Sequence, residues 1–213
     1  MQEFKAGVLC VYKPKGISSN GLLNKIRRLA GTRRVGHAGT LDPLASGVLV
    51  VGIGGGTSEL AKLAGAEKEY LATIRLGVSS TTDDEEGQKT YENAPRQPTT
   101  AEIEGVLKNF TGDIQQVTPA YSAVNIGGKK AYELARRGKV VDLGKRQVTV
   151  HQLKLLSFSW PDMKIRVVVS SGTYIRALAR DIGEALGTRG YLADLERIRV
   201  GEYRRETCIR IEV

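Results

Sequence analysis

The stretch Arg34–Val35–Gly36–His37–Ala38–Gly39–Thr40–Leu41–Asp42–Pro43–Leu44–Ala45–Ser46–Gly47 runs straight into Val48–Leu49–Val50–Val51–Gly52–Ile53. Glycines at 36, 39 and 47 surround His37 and Thr40, and Pro43 follows Asp42. Glycine admits positive φ and close backbone approach, and proline removes a donor and steers the residue before it away from the α region. The stretch is therefore expected to be an irregular loop, neither helix nor paired strand. The apolar run Val48–Val51 reads as a buried strand. A loop carrying one imidazole and one carboxylate is thus anchored against a core, a common place for reactive groups. On these residues alone a plainer reading stays open, with Asp42 as a turn-former before proline and His37 as a polar filler.

Upstream, Gly7–Tyr12 reads as a strand that ends at Lys13–Pro14–Lys15–Gly16. Ser18, Ser19 or Asn20 can then cap a helix over Gly21–Ala30 with Leu22, Leu23, Ile26 and Leu29 on one face. Downstream, Gly54–Gly55–Gly56 leads into a short helix ending near Leu63. Strand, glycine turn and helix suggest a dinucleotide site, but the third glycine of that fingerprint would fall on Thr57, and no phosphate loop occurs anywhere. Tyr70–Leu76 alternates as a half-buried strand. Ser79–Gly87 is an acidic loop, and Thr99 or Thr100 caps a helix over Ala101–Phe110. Ile114–Val124 is extended, and Ala131–Arg137 is a helical core between glycines. Val140–Val150, Lys154–Ser159 and Ile165–Ser170 are strands. Ser171–Gly172–Thr173 caps a helix over Tyr174–Leu186, and Gly201–Val213 closes the chain as a mixed strand. Strands outnumber helices without regular alternation, so the fold class is α+β with a mixed, mainly antiparallel sheet.

The chain has 213 residues and a formal net charge of +9. Its basic residues cluster at Lys25–Arg34, Lys129–Arg146 and Arg197–Arg205, which suits a polyanionic partner such as nucleic acid. Cys10 and Cys208 stand at opposite ends with no framework spacing, which suits a reducing, cytoplasmic setting. No signal-peptide core and no membrane-length apolar run occur. His37 and His151 have no partner at ligand spacing, so no metal site is expected. A nucleophile elbow is absent because Ser46 lacks the preceding glycine. Arg176 falls in the first turn of its helix, where a cation is disfavoured by roughly 0.3–1 kcal/mol, so it should find an anion. Asp42 is one candidate; Asp181 and Glu184 are others.

Gly36–His37–Ala38–Gly39–Thr40–Leu41–Asp42–Pro43–Leu44–Ala45–Ser46–Gly47 resembles the signature loop of TruB-type tRNA pseudouridine synthases. Further blocks resemble the family in order. They are Lys13–Pro14–Lys15–Gly16–Ile17–Ser18–Ser19, Lys68–Glu69–Tyr70, and Tyr121–Ser122–Ala123 with Gly127–Arg136. Ser171–Gly172–Thr173–Tyr174–Ile175–Arg176 and Leu192–Arg199 complete the series. The resemblance covers residues 7–203.

The resemblance implies a pseudouridine synthase fold and isomerisation of uridine 55 in the T loop of tRNA, with the base flipped out of its stack. It implies Asp42 as nucleophile or base, Arg176 as its partner, and Tyr70 stacking on the flipped base and joining the proton transfer. Leu195 would wall the pocket, His37 would enter the T loop, Lys13 would support the pocket, and Asp84 would lie near the base. The same motifs place Gly39, Tyr174, Tyr121, Lys129, Lys130 and Arg136 against the RNA. No cofactor and no metal are implied, and a monomer acting on the T stem-loop is expected. Asn125 departs from a common family lysine. The expected organisation is one catalytic domain over 1–213 with an RNA-gripping insertion at about 121–150. The PUA-like C-terminal domain common in the family is not expected, a loss that should weaken affinity for whole tRNA. The alternatives are a non-catalytic tRNA-binding or folding protein and a guide-dependent synthase of the dyskerin type.

Overall fold

The apolar run after the glycine-rich loop forms a strand over Ser46–Ile53, and all eight of its residues are buried. The computed structural model of the chain describes residues 4–93, 95–122, 124–131, 134, 137 and 143–211. In chain order the first elements are β1 (Gly7–Lys13), α1 (Ser19–Leu29), β2 (Val35–His37), β3 (Ser46–Ile53), α2 (Leu60–Ala64) and β4 (Lys68–Leu76). Next come β5 (Val78–Ser80), β6 (Lys89–Tyr91), α3 (Thr100–Asn109), β7 (Gly112–Val117), β8 (Asn125–Ile126) and β9 (Lys129–Lys130). The chain continues with β10 (Lys145–Ser159), β11 (Asp162–Val169), α4 (Ile175–Ala185), β12 (Gly190–Val200), β13 (Tyr203–Arg204) and β14 (Ile209–Arg210). The α+β class with a mixed sheet is what the sequence predicts.

The backbone divides into two compact units. One comprises Met1–Leu71, Val168–Ser171 and Leu195–Val213, and the other comprises Ala72–Val167 and Gly172–Asp194. No linker in the sequence announces this division, because β4, β11 and β12 each contribute residues to both.

In the first unit the strand order is β14-β1-β3-β12, with β2 on β3 and β13 on β12. β1 runs antiparallel to β3 and parallel to β14, and β12 runs parallel to β3. Ala38, Val48, Val50 and Val200 form a core cluster here, with Val8, Leu60, Leu63 and Tyr203 packed against it. Ser18 caps α1 by accepting from the Gly21 amide, and Leu22, Leu23 and Ile26 are buried as the periodicity predicts. Leu29, expected on the same face, is exposed.

Three expectations are corrected here. Val35–His37 does pair as a strand, antiparallel to β3, with Gly36 opposite Gly52. A Cβ at Gly36 would stand 2.9 Å from Leu60 Cδ1, so the glycine that seemed to forbid pairing permits a close approach. Gly190–Val200, unread as a strand, is the long strand β12. Cys10 and Cys208 are not independent. The parallel register of β1 on β14 (Val11 with Ile209) brings their Cα atoms to 4.5 Å, and the two are disulfide-bonded.

In the second unit the strands follow the order β4-β11-β10-β7. The predicted break between Val150 and Lys154 is absent, and β10 runs unbroken for 15 residues. Thr99 caps α3 in a reciprocal capping box with Glu102. The cap of α4 is not the Ser171–Thr173 group; it is Tyr174, whose amide donates to Gln116 Oε1 at 2.8 Å while Gln116 Nε2 donates to the Tyr174 carbonyl at 3.0 Å. Most of the helix expected over Ala131–Arg137 lies outside the described residues.

Candidate active site

Asp42 is carried by a loop of the first unit whose backbone carbonyls can be accounted for one by one. Gly39 O accepts from Arg197 Nη2 at 3.1 Å and Thr40 O from Arg197 Nη1 at 3.2 Å. Leu41 O accepts from the Ser19 hydroxyl at 2.8 Å, and the Leu41 amide donates back to Ser19 Oγ at 2.9 Å. Asp42 O accepts from the Ala45 amide at 3.1 Å, and Pro43 O from the Gly16 amide at 2.8 Å and Lys13 Nζ at 3.3 Å. Every carbonyl from Gly39 to Pro43 therefore has a donor. A loop held this way presents its half-buried carboxylate on a defined backbone.

Three cations are buried in this unit: Lys13 is 0%, Arg197 1% and Lys68 6% exposed. Their hydrogen-bond acceptors are backbone carbonyls. Lys13 also reaches Pro14 O and Ile17 O at 2.9 and 2.8 Å, and Lys68 reaches Ala64 O and Ala66 O at 2.9 and 2.8 Å. Burial pushes the Lys13 ammonium down to about 8, with Asp42 pulling the other way and Arg197 adding to the fall. Burial and the Arg197 charge bring Lys68 to about 8 as well. The same two causes, in the same order, lower His37. Its imidazole is thus neutral at pH 7, and its buried Nδ1 has no hydrogen-bond partner. Tyr70 and Leu195 are also buried in this unit, at 6% and 5% exposure.

The second unit gathers a different set. Arg176, 6% exposed, donates from Nη1 to Asp84 Oδ2 at 3.1 Å and from Nη2 to the Tyr121 carbonyl at 3.1 Å. Asp84 is therefore the anion within this unit that the helix-terminus argument demands of Arg176. One turn later on α4, Arg180 donates to Asp83 Oδ2 at 2.8 Å and also binds Asp181. Asp83 sits at φ +61°, a left-handed conformation that aspartate tolerates better than most residues. Its carbonyl accepts from the Leu192 amide at 3.0 Å, tying the acidic loop to β12. Burial raises the Asp83 carboxyl, with Arg180 opposing.

Tyr121 and Tyr174 are half-buried in this unit, and Arg146 lies 5.5 Å over the Tyr174 ring. Lys129 and Lys130 form one arm of a two-residue hairpin with Asn125–Ile126. Gly127 and Gly128 turn it with φ of +53° and +82°, as the tightest hairpin loops require. Arg136 lies outside the described residues.

The basic cluster at Arg197–Arg205 is not the open patch the sequence suggests. Arg197 is buried, Arg199 pairs with Glu69 at 2.9 Å, and Arg205 pairs with Glu196 and Glu206. Sequence reasoning counted Arg197 only as a surface charge and missed Ser19 and Gln116 as backbone anchors. No local signal marks Arg197, since Asp194, Glu196 and Arg199 surround it with other charges in the same strand. Among the described residues no group of three or more His, Cys, Asp or Glu side chains gathers for a metal, and no helix is long and apolar enough to cross a membrane.

Comparison with known proteins adds the following. Residues 27–175 match the family described as TruB family pseudouridylate synthase (N terminal domain). The chain is 48% identical over 214 residues to a protein of Thermobifida fusca (strain YX) named tRNA pseudouridine synthase B, covering 97% of this chain and 73% of that one. It is 49% identical to the protein of the same name from Leifsonia xyli subsp. xyli, covering 93% and 68%. Among solved structures it resembles a chain of a Cbf5-Nop10-Gar1 complex, with a TM-score of 0.76 and 31% identity; the match covers 96% of this chain but 52% of that one.

Proposed function

The chain belongs to the TruB family of pseudouridylate synthases, and from that premise we propose that it isomerises a uridine of tRNA to pseudouridine, at position 55 of the T loop. The isomerisation breaks the N1–C1′ glycosidic bond, turns the base, and joins C5 to C1′. The C5 proton leaves to solvent and N1 gains one, so nothing is oxidised and no co-reactant is consumed. The target nucleotide has to leave its stack, at a cost of a few kcal/mol.

In this reading Asp42 acts as nucleophile or base, and Tyr70 stacks on the extruded base and takes part in the final proton transfer. Leu195 supplies apolar wall. The neutral imidazole of His37 suits insertion among bases, since it carries no charge to desolvate. Lys13, through Pro43 O, steadies the backbone next to Asp42. Arg176 is proposed as the ionic partner of Asp42, with Asp84 serving near the base. Gly39, Tyr174, Tyr121, Lys129, Lys130 and Arg136 are proposed RNA contacts. A monomer acting in the cytoplasm, without metal or cofactor, completes the proposal.

The observation that carries the reading is the full set of donors on the carbonyls from Gly39 to Pro43. A pure RNA-binding protein has no use for a half-buried carboxylate on so constrained a backbone. The test is tritium release from tRNA labelled at uracil C5. Release of about one equivalent per tRNA by the wild type supports the synthase; tight binding without release supports the non-catalytic alternative.

A further inference from the structure

β3 is paired along one edge by β1 from Gly47 to Ile53, but its other edge has a gap. β12 pairs there with Ser46 and Gly47, and β2 with Val51 to Ile53. The Ala38 amide donates to Val50 O on this open edge at 2.9 Å. Carbonyls two residues apart on a strand face the same edge, so Val48 O opens into the gap with no strand to meet it. Val48 is 0% exposed, so its carbonyl is shut off from bulk water and needs a partner inside the protein. Arg197 Nε fills the position, donating to Val48 O at 2.7 Å.

The same guanidinium continues outward to Thr40 O and Gly39 O, at 3.2 and 3.1 Å. Its three nitrogens thus take three carbonyls, one on the strand leaving the loop and two on the segment entering it. We infer that Arg197 is the positioning residue of the Asp42 loop: by bridging Val48 O to Gly39 O and Thr40 O, it sets where the Asp42 carboxylate stands. At 1% exposure it cannot reach RNA. Lysine would replace it only in part, because a single nitrogen cannot stand at the three positions that Nε, Nη1 and Nη2 occupy.

The loop is cut to fit this residue. A Cβ on Gly47 would lie 2.1 Å from the Arg197 carbonyl, and Gly47 holds φ +111°. Gly39, at φ +113°, passes within 4.0 Å of Arg197 Nη1 by the same measure. Gly47 is therefore glycine because the Arg197 backbone runs past it, whereas Gly39 is required by its positive φ alone. After burial, its charge also helps to lower Lys13, Lys68 and His37.

The activity arm of the test rests on the synthase reading; the exchange arm does not. Arg197→Met and Arg197→Lys are prepared, and amide hydrogen exchange is followed at Ala38, Leu41 and Ala45 beside strand amides of β1 and β3. In Arg197→Met the loop amides are expected to exchange about 10-fold or more faster, with β1 protection unchanged. On tRNA, kcat is expected to fall about 100-fold with KM within about 3-fold, since a misplaced group costs the chemical step rather than binding. Arg197→Lys should recover part of both losses.

Unchanged loop exchange in either folded variant would overturn the inference. So would a rise in KM alone, or a kcat loss no larger than the loss of folded protein. If Arg197→Met does not fold, Arg197→Lys carries both readouts. If wild-type protein releases no tritium from any tRNA, the synthase reading falls, and loop exchange alone decides the role of Arg197.

Discussion

The loop of Asp42 and the loop of Asp83 and Asp84 both carry acids that the sequence marks, yet they are built on opposite plans. Around Asp42 the cations Lys13 and Arg197 donate to main-chain carbonyls, so charge is spent on fixing backbone. Around Asp83 and Asp84 the guanidinia of Arg180 and Arg176 meet carboxylates directly, charge against charge. Backbone fixed by buried cations sets where a side chain stands, whatever that side chain meets. Side-chain pairs set the direction of an arginine but quench its charge locally. The first plan suits a carboxylate that must act, and the second suits a cation that must be aimed.

The two plans fail differently when a partner is removed. Asp84→Ala removes the carboxylate that Arg176 Nη1 meets at 3.1 Å while the guanidinium stays buried. It should cost about 3–5 kcal/mol in denaturant unfolding, and adding Arg176→Met should recover much of that. A double variant as unstable as the single one would break the comparison. In the carbonyl-held loop no such compensation exists. Ser19→Ala strips a donor from Leu41 O and an acceptor from the Leu41 amide, both buried, and should cost about 2 kcal/mol. Chemical denaturation gives the value directly, and a loss below about 0.5 kcal/mol would mean that the loop is not held as described.

The third effect is electrostatic and spread over a pH range. Lys68 titrates near 8 in the folded chain against 10.5 when unfolded. Between those values the unfolded chain binds the extra proton, so stability contributed by this group rises with pH across the window. Below about 8 both states are protonated and the cost of the buried charge is fully felt. Wild type should therefore gain on Lys68→Met from pH 8 to 10, by at most about 1.4 kcal/mol per pH unit. Parallel pH dependences for the two proteins would show that Lys68 is not held as a buried cation.

The same contrast governs what could be read in the sequence. The Asp42 loop was legible because glycine and proline declare irregular backbone and the apolar run after it declares a strand. Pairings by side chains were not, since Asp84 and Arg176 stand 92 residues apart and no local pattern links them. β12 went unread because Glu196, Arg197 and Arg199 interrupt its alternation, and the interruption at Arg197 is a buried cation serving carbonyls. The α4 cap went astray for a related reason. No side chain caps the helix, and a glutamine from β7, 58 residues earlier, instead holds the amide and carbonyl of Tyr174 at its start. Periodicity and turn chemistry speak for local structure; buried polar contacts between distant segments leave almost no trace in either.

The central claim is that the constrained Asp42 carboxylate carries the chemistry. It is tested most directly by tritium release from C5-labelled tRNA with wild type and Asp42→Asn, with tRNA binding measured on both. The account predicts about one equivalent released by the wild type, a loss on the order of 10³-fold or more in the variant, and tRNA affinity kept within a few-fold. Release by Asp42→Asn at the wild-type rate would contradict it.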